Sequence, residues 1–178
     1  LGMSYDLAAY QTKVRNEVVP YRGGRFYFTA GRAQRRGLEA SAQAAFTGGV
    51  GVSVSAALQD HQYTQYVVDS VHYGKPGASA NYSGNNVVGV PRALLGGELR
   101  LDPTFVPGVR ISFGAQRVGD YFADDANRVV VPSSVTASLS LATREVIATG
   151  GGLGLRGSAT VANLFDRANV ASAFLTPD

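Results

Sequence analysis

Between Gly37 and Gln59 apolar and polar residues change places at almost every step. Leu38, Ala40, Ala42, Ala44 and Phe46 share one face, and Gly37, Glu39, Ser41 and Gln43 the other. After Thr47-Gly48-Gly49 the pattern resumes, with Val50, Val52, Val54, Ala56 and Leu58 set against Gly51, Ser53, Ser55 and Gln59. A period of two marks β-strands with one apolar and one polar face, and the two glycines supply the positive-φ positions of a short hairpin turn. The stretch predicts an antiparallel hairpin. Each run lasts about ten residues, against about five or six for an ordinary strand. About nine to eleven tilted residues carry a strand across the hydrocarbon of a bilayer.

The same reading extends along the chain. Tyr5 to Val19 is a less regular strand, with Tyr5, Leu7 and Ala9 on one face, broken by Pro20-Tyr21-Arg22-Gly23-Gly24. Arg25 to Phe46 reads as one long strand, with Gly31 and Gly37 as candidate bulges or kinks. The return strand runs from Val50 to about Val68, and Asp69 to Val90 is a Gly-, Ser-, Asn- and Tyr-rich segment without period. Further alternating strands are expected at Ala93–Leu101, Val109–Gln116, Val135–Ala142 and Leu153–Val161, with a second polar loop at Gly119–Arg128. That gives about seven strands. Connections after Phe46, Leu101 and Ala142 are short and those after Val68 and Val118 long, so the two kinds gather at opposite ends, as in outer-membrane barrels.

Composition sharpens this picture. The polar faces are mostly Gly, Ser, Ala and Gln, and charged residues make up only 16%, against about a quarter in soluble domains. Small neutral side chains suit a wet lumen better than a soluble surface. No run approaches the ~18 consecutive apolar residues of a membrane-spanning helix, a test that barrel strands escape because they are apolar only at every second position. With no cysteine, disulfides and thiolate metal sites are excluded. The net charge of +3 is mild, and the one basic cluster, Arg32, Arg35 and Arg36, has no interleaved aromatics, which argues against nucleic acid as a partner. Leu1-Gly2-Met3-Ser4 has neither the basic nor the apolar region of a signal peptide and enters a strand at once; a fragment of a longer protein is expected.

Candidate chemistry is sparse. Gly152-Leu153-Gly154-Leu155-Arg156-Gly157 fits the dinucleotide fingerprint in letters, but its glycines open a strand where that fingerprint needs a helix. His61 and His72, near Asp60, Tyr63, Tyr66, Asp69 and Tyr73, lack zinc-motif spacing and read either as a metal site or as solvated loop residues. No nucleophile, base and acid can be picked out, so neither enzymatic activity nor a cofactor is expected. Tyr and Asn in loops supply rigid area and adaptable hydrogen bonds, whereas Tyr at a strand end also suits a membrane-interface girdle. Tyr63 and Tyr66 are expected in the girdle. The candidate ligand-binding residues are His72, Tyr73, Asn81, Tyr82, Tyr121, Phe122 and Arg128. Arg32, Arg35 and Arg36 lie on the long-loop side of the apolar stretch, facing either lipopolysaccharide phosphates or solvent.

Four stretches carry a resemblance to one family. Gly31-Arg32-Ala33-Gln34-Arg35-Arg36-Gly37-Leu38-Glu39 resembles the "NAG-x-x-R-x-x-GLE" segment of TonB-dependent outer-membrane receptors. Tyr82-Ser83-Gly84-Asn85-Asn86-Val87-Val88-Gly89-Val90-Pro91-Arg92 is similar to their "GN-x-x-P-G-x-P" lead into a strand, and Tyr121-Phe122-Ala123-Asp124-Asp125-Ala126-Asn127 to their "Y-x-D-x-N" loop. Asn163-Leu164-Phe165-Asp166 matches the "NLFD" near the family's C-terminus. The chain departs from the pattern at Thr29-Ala30, where Asn is usual, and at Val88, where Pro is common.

The resemblance implies an all-β fold: an antiparallel transmembrane β-barrel segment, about seven strands of a barrel of about 22, with short periplasmic turns and long extracellular loops. Residues 1–178 would be the C-terminal part of that barrel, with the plug domain and last strand absent. It also implies the bacterial outer membrane as location and uptake of a ferric siderophore or similar scarce nutrient. The implied partners are that ligand, TonB (through plug parts outside this chain), outer-membrane lipid and lipopolysaccharide. Two alternatives remain open: a passive porin-like channel, and a soluble lipocalin-like barrel with Val50, Val52 and Val54 turned inward around a ligand.

Overall fold

The computed structural model describes residues 2–21, 26–69, 79–148, 154–170 and 173, and among them every regular element is a strand. In chain order these are β1 (Gly2–Tyr21), β2 (Phe26–Ala45), β3 (Val50–Gln65), β4 (Val67–Asp69), β5 (Ser79–Asn81), β6 (Ala93–Leu101) and β7 (Val109–Val118). There follow β8 (Tyr121–Phe122), β9 (Val130–Val131), β10 (Ser134–Thr143), β11 (Ile147–Ala148), β12 (Gly154–Leu155) and β13 (Ser158–Val161). One antiparallel sheet of seven strands takes the order β1-β2-β3-β6-β7-β10-β13. Three small hairpins, β4–β5, β8–β9 and β11–β12, sit outside it.

The register puts the alternation of the sequence into space. Met3, Ala44, Val52, Leu99, Phe113, Leu139 and Val161 form one rung across all seven strands. The adjacent rung, Ser4, Gln43, Ser53, Glu98, Gly114 and Ser138, belongs to the opposite face. The apolar face is bare even on interior strands: Val54, Leu58 and Leu99 are 53%, 53% and 50% exposed. A contiguous apolar surface of this extent is far beyond what a soluble monomer exposes and marks contact with lipid. The polar face borders a trough of about 1190 Å³, flanked by Ser41, Gln43, Ser53, Ser55, Gln116 and Ser138. Val52 and Val54 are among the exposed apolar residues of the other face, the reverse of what an inward-facing lipocalin-like pocket needs.

The short connections are knitted together. The Asp102 amide donates to the Gly49 carbonyl (2.8 Å) and the Arg144 amide to Gly108 (2.7 Å). Arg110 grips both carboxylate oxygens of Asp102 at 2.8 and 2.9 Å, which holds that carboxyl below its ordinary range. Gly49 must be glycine here, because its φ is 81° and a Cβ would meet the Asp102 carbonyl.

Three details depart from the sequence reading. Pro20 does not end β1; it pairs with Tyr27, because the ring's fixed φ still permits extended backbone. Gly37 is neither bulge nor kink, since the β1–β2 and β2–β3 registers pass through it unbroken. It is instead a close approach: a Cβ there would lie 2.6 Å from the Tyr10 hydroxyl and 2.7 Å from the Leu58 carbonyl. Among the described residues the register shifts between Arg32 and Ala33, next to the other candidate glycine, Gly31. Finally, Leu153–Val161 is not one strand. Thr143 and Gly157 exchange backbone and hydroxyl hydrogen bonds (2.9 and 3.0 Å), which reset the chain into β13 and leave β11–β12 as a hairpin of their own.

Candidate functional site

β3 continues past the apolar band toward the long connections, and a core forms where it ends. Ala33, Tyr63, Tyr66, Val68 and Val87 are buried there, with Val14, Tyr82 and Val90 packed against them. Tyr66 is fully buried and Tyr63 is 3% exposed. Their rings lie 4.6 Å apart, and Tyr82 meets Tyr66 edge-on at 5.4 Å. This corrects the girdle expectation. Tyr63 shares the polar-face parity of Ser53 and Ser55, and Tyr66 stands at the break between β3 and β4, so both turn into protein rather than toward lipid.

Around this core the two long connections are clasped. The Asn86 amide and side-chain nitrogen donate to Asn127 Oδ1 at 2.7 and 3.3 Å, and Asn127 Nδ2 donates back to the Asn86 carbonyl at 3.1 Å. Asn85 Nδ2 donates to the Asp125 carbonyl (2.7 Å) and the Gly89 amide to the Phe122 carbonyl (2.9 Å). Asn127 takes a left-handed φ of 54°, a conformation Asn tolerates better than most residues. Asp124 Oδ1 accepts from the Arg128 and Val129 amides (2.8 and 2.7 Å) and so fixes the β8–β9 turn. The Tyr66 hydroxyl donates to Asp125 Oδ2 at 3.1 Å, while Asp125 Oδ1 is buried. Burial pushes the Asp125 carboxyl up, against the opposing effect of the Tyr66 and Tyr63 hydroxyls.

Of the expected ligand-binding residues, His72 and Tyr73 lie outside the described residues. Asn81 closes β5, and its Oδ1 accepts from the Ser83 amide at 3.0 Å. Tyr82 is half-buried, its ring engaged with Tyr66. Tyr121 and Phe122 form β8 and are half-buried, whereas Arg128 is exposed beyond them. Arg92, not singled out from the sequence, stands 5.8 Å from the Phe122 ring centroid. The structure thus brings Phe122, Gly89 and Arg92 together, and Tyr121 with them through β8. Asn85, Asn86, Asp125 and Asn127 were visible only as members of two motifs; that one motif answers the other is information held in the pairing.

The histidine region divides between the two faces of β3. His61 Nε2 is 3.1 Å from the Tyr10 hydroxyl, on the polar-face parity. Asp60, one residue earlier, pairs with Arg36 at 2.6 Å on the opposite face. Among the described residues no group of three or more His, Asp and Glu side chains is gathered for a metal ion. The basic cluster splits in the same way: Arg32 and Arg36 follow the apolar parity, and Arg35 follows the polar one, opposite His61. Gly154 and Leu155 of the glycine-rich stretch are strand, with no helix after them.

Comparison with known proteins places this geometry. A family model described as TonB dependent receptor-like, beta-barrel matches residues 2–164. The solved structure of the siderophore receptor PiuA from Acinetobacter baumannii superposes with a TM-score of 0.67 at 18% identity, over 93% of this chain and 22% of that one. The ferric yersiniabactin uptake receptor FyuA from Yersinia pestis gives a TM-score of 0.67 at 23% identity, over 93% of this chain and 23% of that one. At these identities the likeness is one of fold, and this chain spans less than a quarter of either receptor. No match is found among curated proteins.

Proposed function

The chain belongs to the TonB-dependent receptor β-barrel family, and from that premise we propose that it is barrel wall and extracellular loops of an outer-membrane receptor. The receptor takes up a ferric siderophore or a similar large, scarce nutrient, energised through TonB. The observation that carries the reading is the pair of adjacent rungs. Seven apolar side chains from Met3 to Val161 face one way, and a wholly polar and small-residue row from Ser4 to Ser138 faces the other. That is a lipid face backed by a wet lumen. The small-residue trough and the loops above it suit passage of a bulky solute, and the work is transport rather than bond chemistry. The names of the two fold relatives support a ferric-siderophore ligand. The Asn163-Leu164-Phe165-Asp166 motif supports a position toward the C-terminal end of the barrel.

Within this reading Tyr121, Phe122 and Arg128 are the ligand-contacting residues, carried on a loop that the Asn86–Asn127 clasp holds in place, with Asn81 and Tyr82 beside them and His72 and Tyr73 on the connection between β4 and β5. The test is binding and uptake of ferric siderophores by the full-length receptor in iron-starved cells. Tyr121→Ala and Arg128→Ala are expected to weaken binding at least about tenfold, the size of one hot-spot contact, with barrel folding intact. Unchanged binding and uptake in both variants would reject these residues. Uptake that persists when the inner membrane is de-energised would favour the passive channel.

A further inference from the structure

The clasp between the two long connections closes over one ionisable group. Asp125 Oδ2 accepts from the Tyr66 hydroxyl at 3.1 Å, and Oδ1 is buried and takes no hydrogen bond among the described residues. The backbone carbonyl of the same residue accepts from the Asn85 side chain at 2.7 Å, so the carboxyl and the clasp move together. Nothing nearby balances a charge. From β3 and its end the carboxyl meets the Tyr63 and Tyr66 hydroxyls. The 82–92 segment brings Tyr82, seated against the Tyr66 ring, and the neutral Asn85 and Asn86, and β4 brings the apolar Val68 to the same core. On its own loop stand Asp124, of like sign, and Arg128, which is exposed and gives its backbone amide to Asp124. Among the described residues no Arg, Lys or His forms an ion pair with Asp125.

The two protonation states therefore fit the closed clasp unequally. A neutral carboxyl shares its proton with the Tyr66 hydroxyl and leaves only a carbonyl-like Oδ1 unmet, whereas a carboxylate sets an uncompensated charge against a buried tyrosine core. Burial accordingly pushes this carboxyl up from 3.8, with the Tyr66 and Tyr63 hydroxyls working the other way and Asp124 adding to the rise. Closure gains most below 3.8, and the gain is lost as pH rises through the higher closed-state value. One proton changes the closing equilibrium by at most about tenfold per pH unit.

We propose that Asp125 is a proton-operated latch on the mouth of the barrel: with its carboxyl neutral the clasp is shut and holds Tyr121, Phe122 and Arg128 in place, and with its carboxyl ionised the 119–131 loop is released. The long loops face the surrounding medium, so the acidity of that medium sets the latch. An acid medium meets the ligand with contact residues already ordered; in a neutral one the ligand bears the cost of ordering them. The latch rests on the buried cluster, and its use in capture rests on the reading of Tyr121, Phe122 and Arg128 as ligand contacts given above.

The experiment is electron paramagnetic resonance of the ligand-free, full-length receptor in lipid vesicles, with one nitroxide attached at Val129→Cys. Val129 is exposed and its amide donates to Asp124 Oδ1 at 2.7 Å, so the label follows the fixed turn without replacing a side chain of the clasp. Between about pH 7.5 and about pH 4 the ratio of immobile to mobile label is expected to rise at least about fivefold, the low end of a coupling between two states. D125N keeps an acceptor for the Tyr66 hydroxyl but no titrating charge and should hold one ratio throughout. His61 is the rival sensor, since its carbonyl accepts from the Val87 amide at 2.9 Å; H61Q should nevertheless titrate like the natural protein. N127A breaks the clasp by another route and should leave the label mobile at every pH. A flat natural profile, a D125N profile that still titrates, a flat H61Q profile, or an immobile label in N127A would each overturn the latch. A heat-modifiable gel shift checks that every variant is a folded barrel. Because no ligand enters, failure here leaves the ligand-contact reading standing, whereas unchanged binding in Tyr121→Ala and Arg128→Ala sinks that reading and leaves the latch.

Discussion

Val54 is the most exacting place to test which face meets lipid. It is exposed and belongs to the rung Tyr5, Ala42, Val54, Gly97, Ala115 and Ala137. It lies four residues from each end of the apolar run Val50–Leu58, which is about 13 Å along the strand and about 10 Å of height at a tilt of about 40°. That is the midplane of the band. Val54→Arg puts a guanidinium there, and a cation at the midplane of an outer-membrane barrel costs about 2–4 kcal/mol, falling to about 0–1 near the interfaces. The folding equilibrium should shift by about 30- to 900-fold. Ser55→Arg, one residue on, points to the wet trough and should change stability by no more than about 0.5 kcal/mol, as at an ordinary solvated site. The assay is urea-driven unfolding of the full-length receptor in lipid vesicles, followed by the heat-modifiable gel band. Equal losses for the two variants, or the larger loss at Ser55, would refute the assignment of faces and with it the whole orientation of the sheet.

Three further outcomes are expected. Gly37→Ala drives a Cβ into the Tyr10 hydroxyl and the Leu58 carbonyl; it should cost about 1–3 kcal/mol, the range for overpacking, seen as a lower melting point of the gel-shifted barrel. Tyr66→Phe keeps the contacts with Tyr63 and Tyr82 but removes the donor to Asp125. Local opening of the clasp should become easier by about 1–3 kcal/mol, read as faster hydrogen exchange in the 82–92 and 121–131 segments alone. Asp125 has its carboxyl raised from 3.8 by burial, so its contribution to stability is fully present below that unfolded value and is lost as pH rises through the folded one. Clasp exchange, corrected for intrinsic rates, should therefore quicken as pH rises through that window, and Asp125→Asn should flatten the dependence.

The sheet was legible because its determinants are local. Alternation from Leu38 to Leu58 and the Gly48-Gly49 turn are periodic or positional signals, and the long strands of the main sheet stand where they predict them; the sorting of connection lengths fails after β10, where the β11–β12 hairpin lies between Thr143 and Ser158. Pro20 was misread because proline removes one N–H but still permits extended backbone, and its pairing with Tyr27 is a property of the sheet. Tyr63 and Tyr66 were misread because tyrosine suits both a membrane interface and a polar core. Their fate was decided by the break after Gln65 and by the Asp125 carboxylate 59 residues further on. The arginines at 32, 35 and 36 looked like one cluster although strand parity alone sends Arg35 to the other side. That separation was recoverable from the sequence by the same alternation that predicted the hairpin. The site was less legible than the scaffold, since Asn86 and Asn127 acquire meaning only once β3, β6 and β7 bring their loops together.

The reciprocal Asn86–Asn127 contact has a bearing on how such a receptor can be re-engineered. Each loop supplies what the other lacks, so neither is an independent module. Grafting onto this barrel a 119–131 segment without an Asn at position 127 would strand the Asn86 amide, whereas transplanting 82–92 and 119–131 as a matched cassette keeps every partner. New ligand preferences should therefore be sought at the exposed positions, Arg128 foremost, where a side chain can change without breaking the agreement between the two loops.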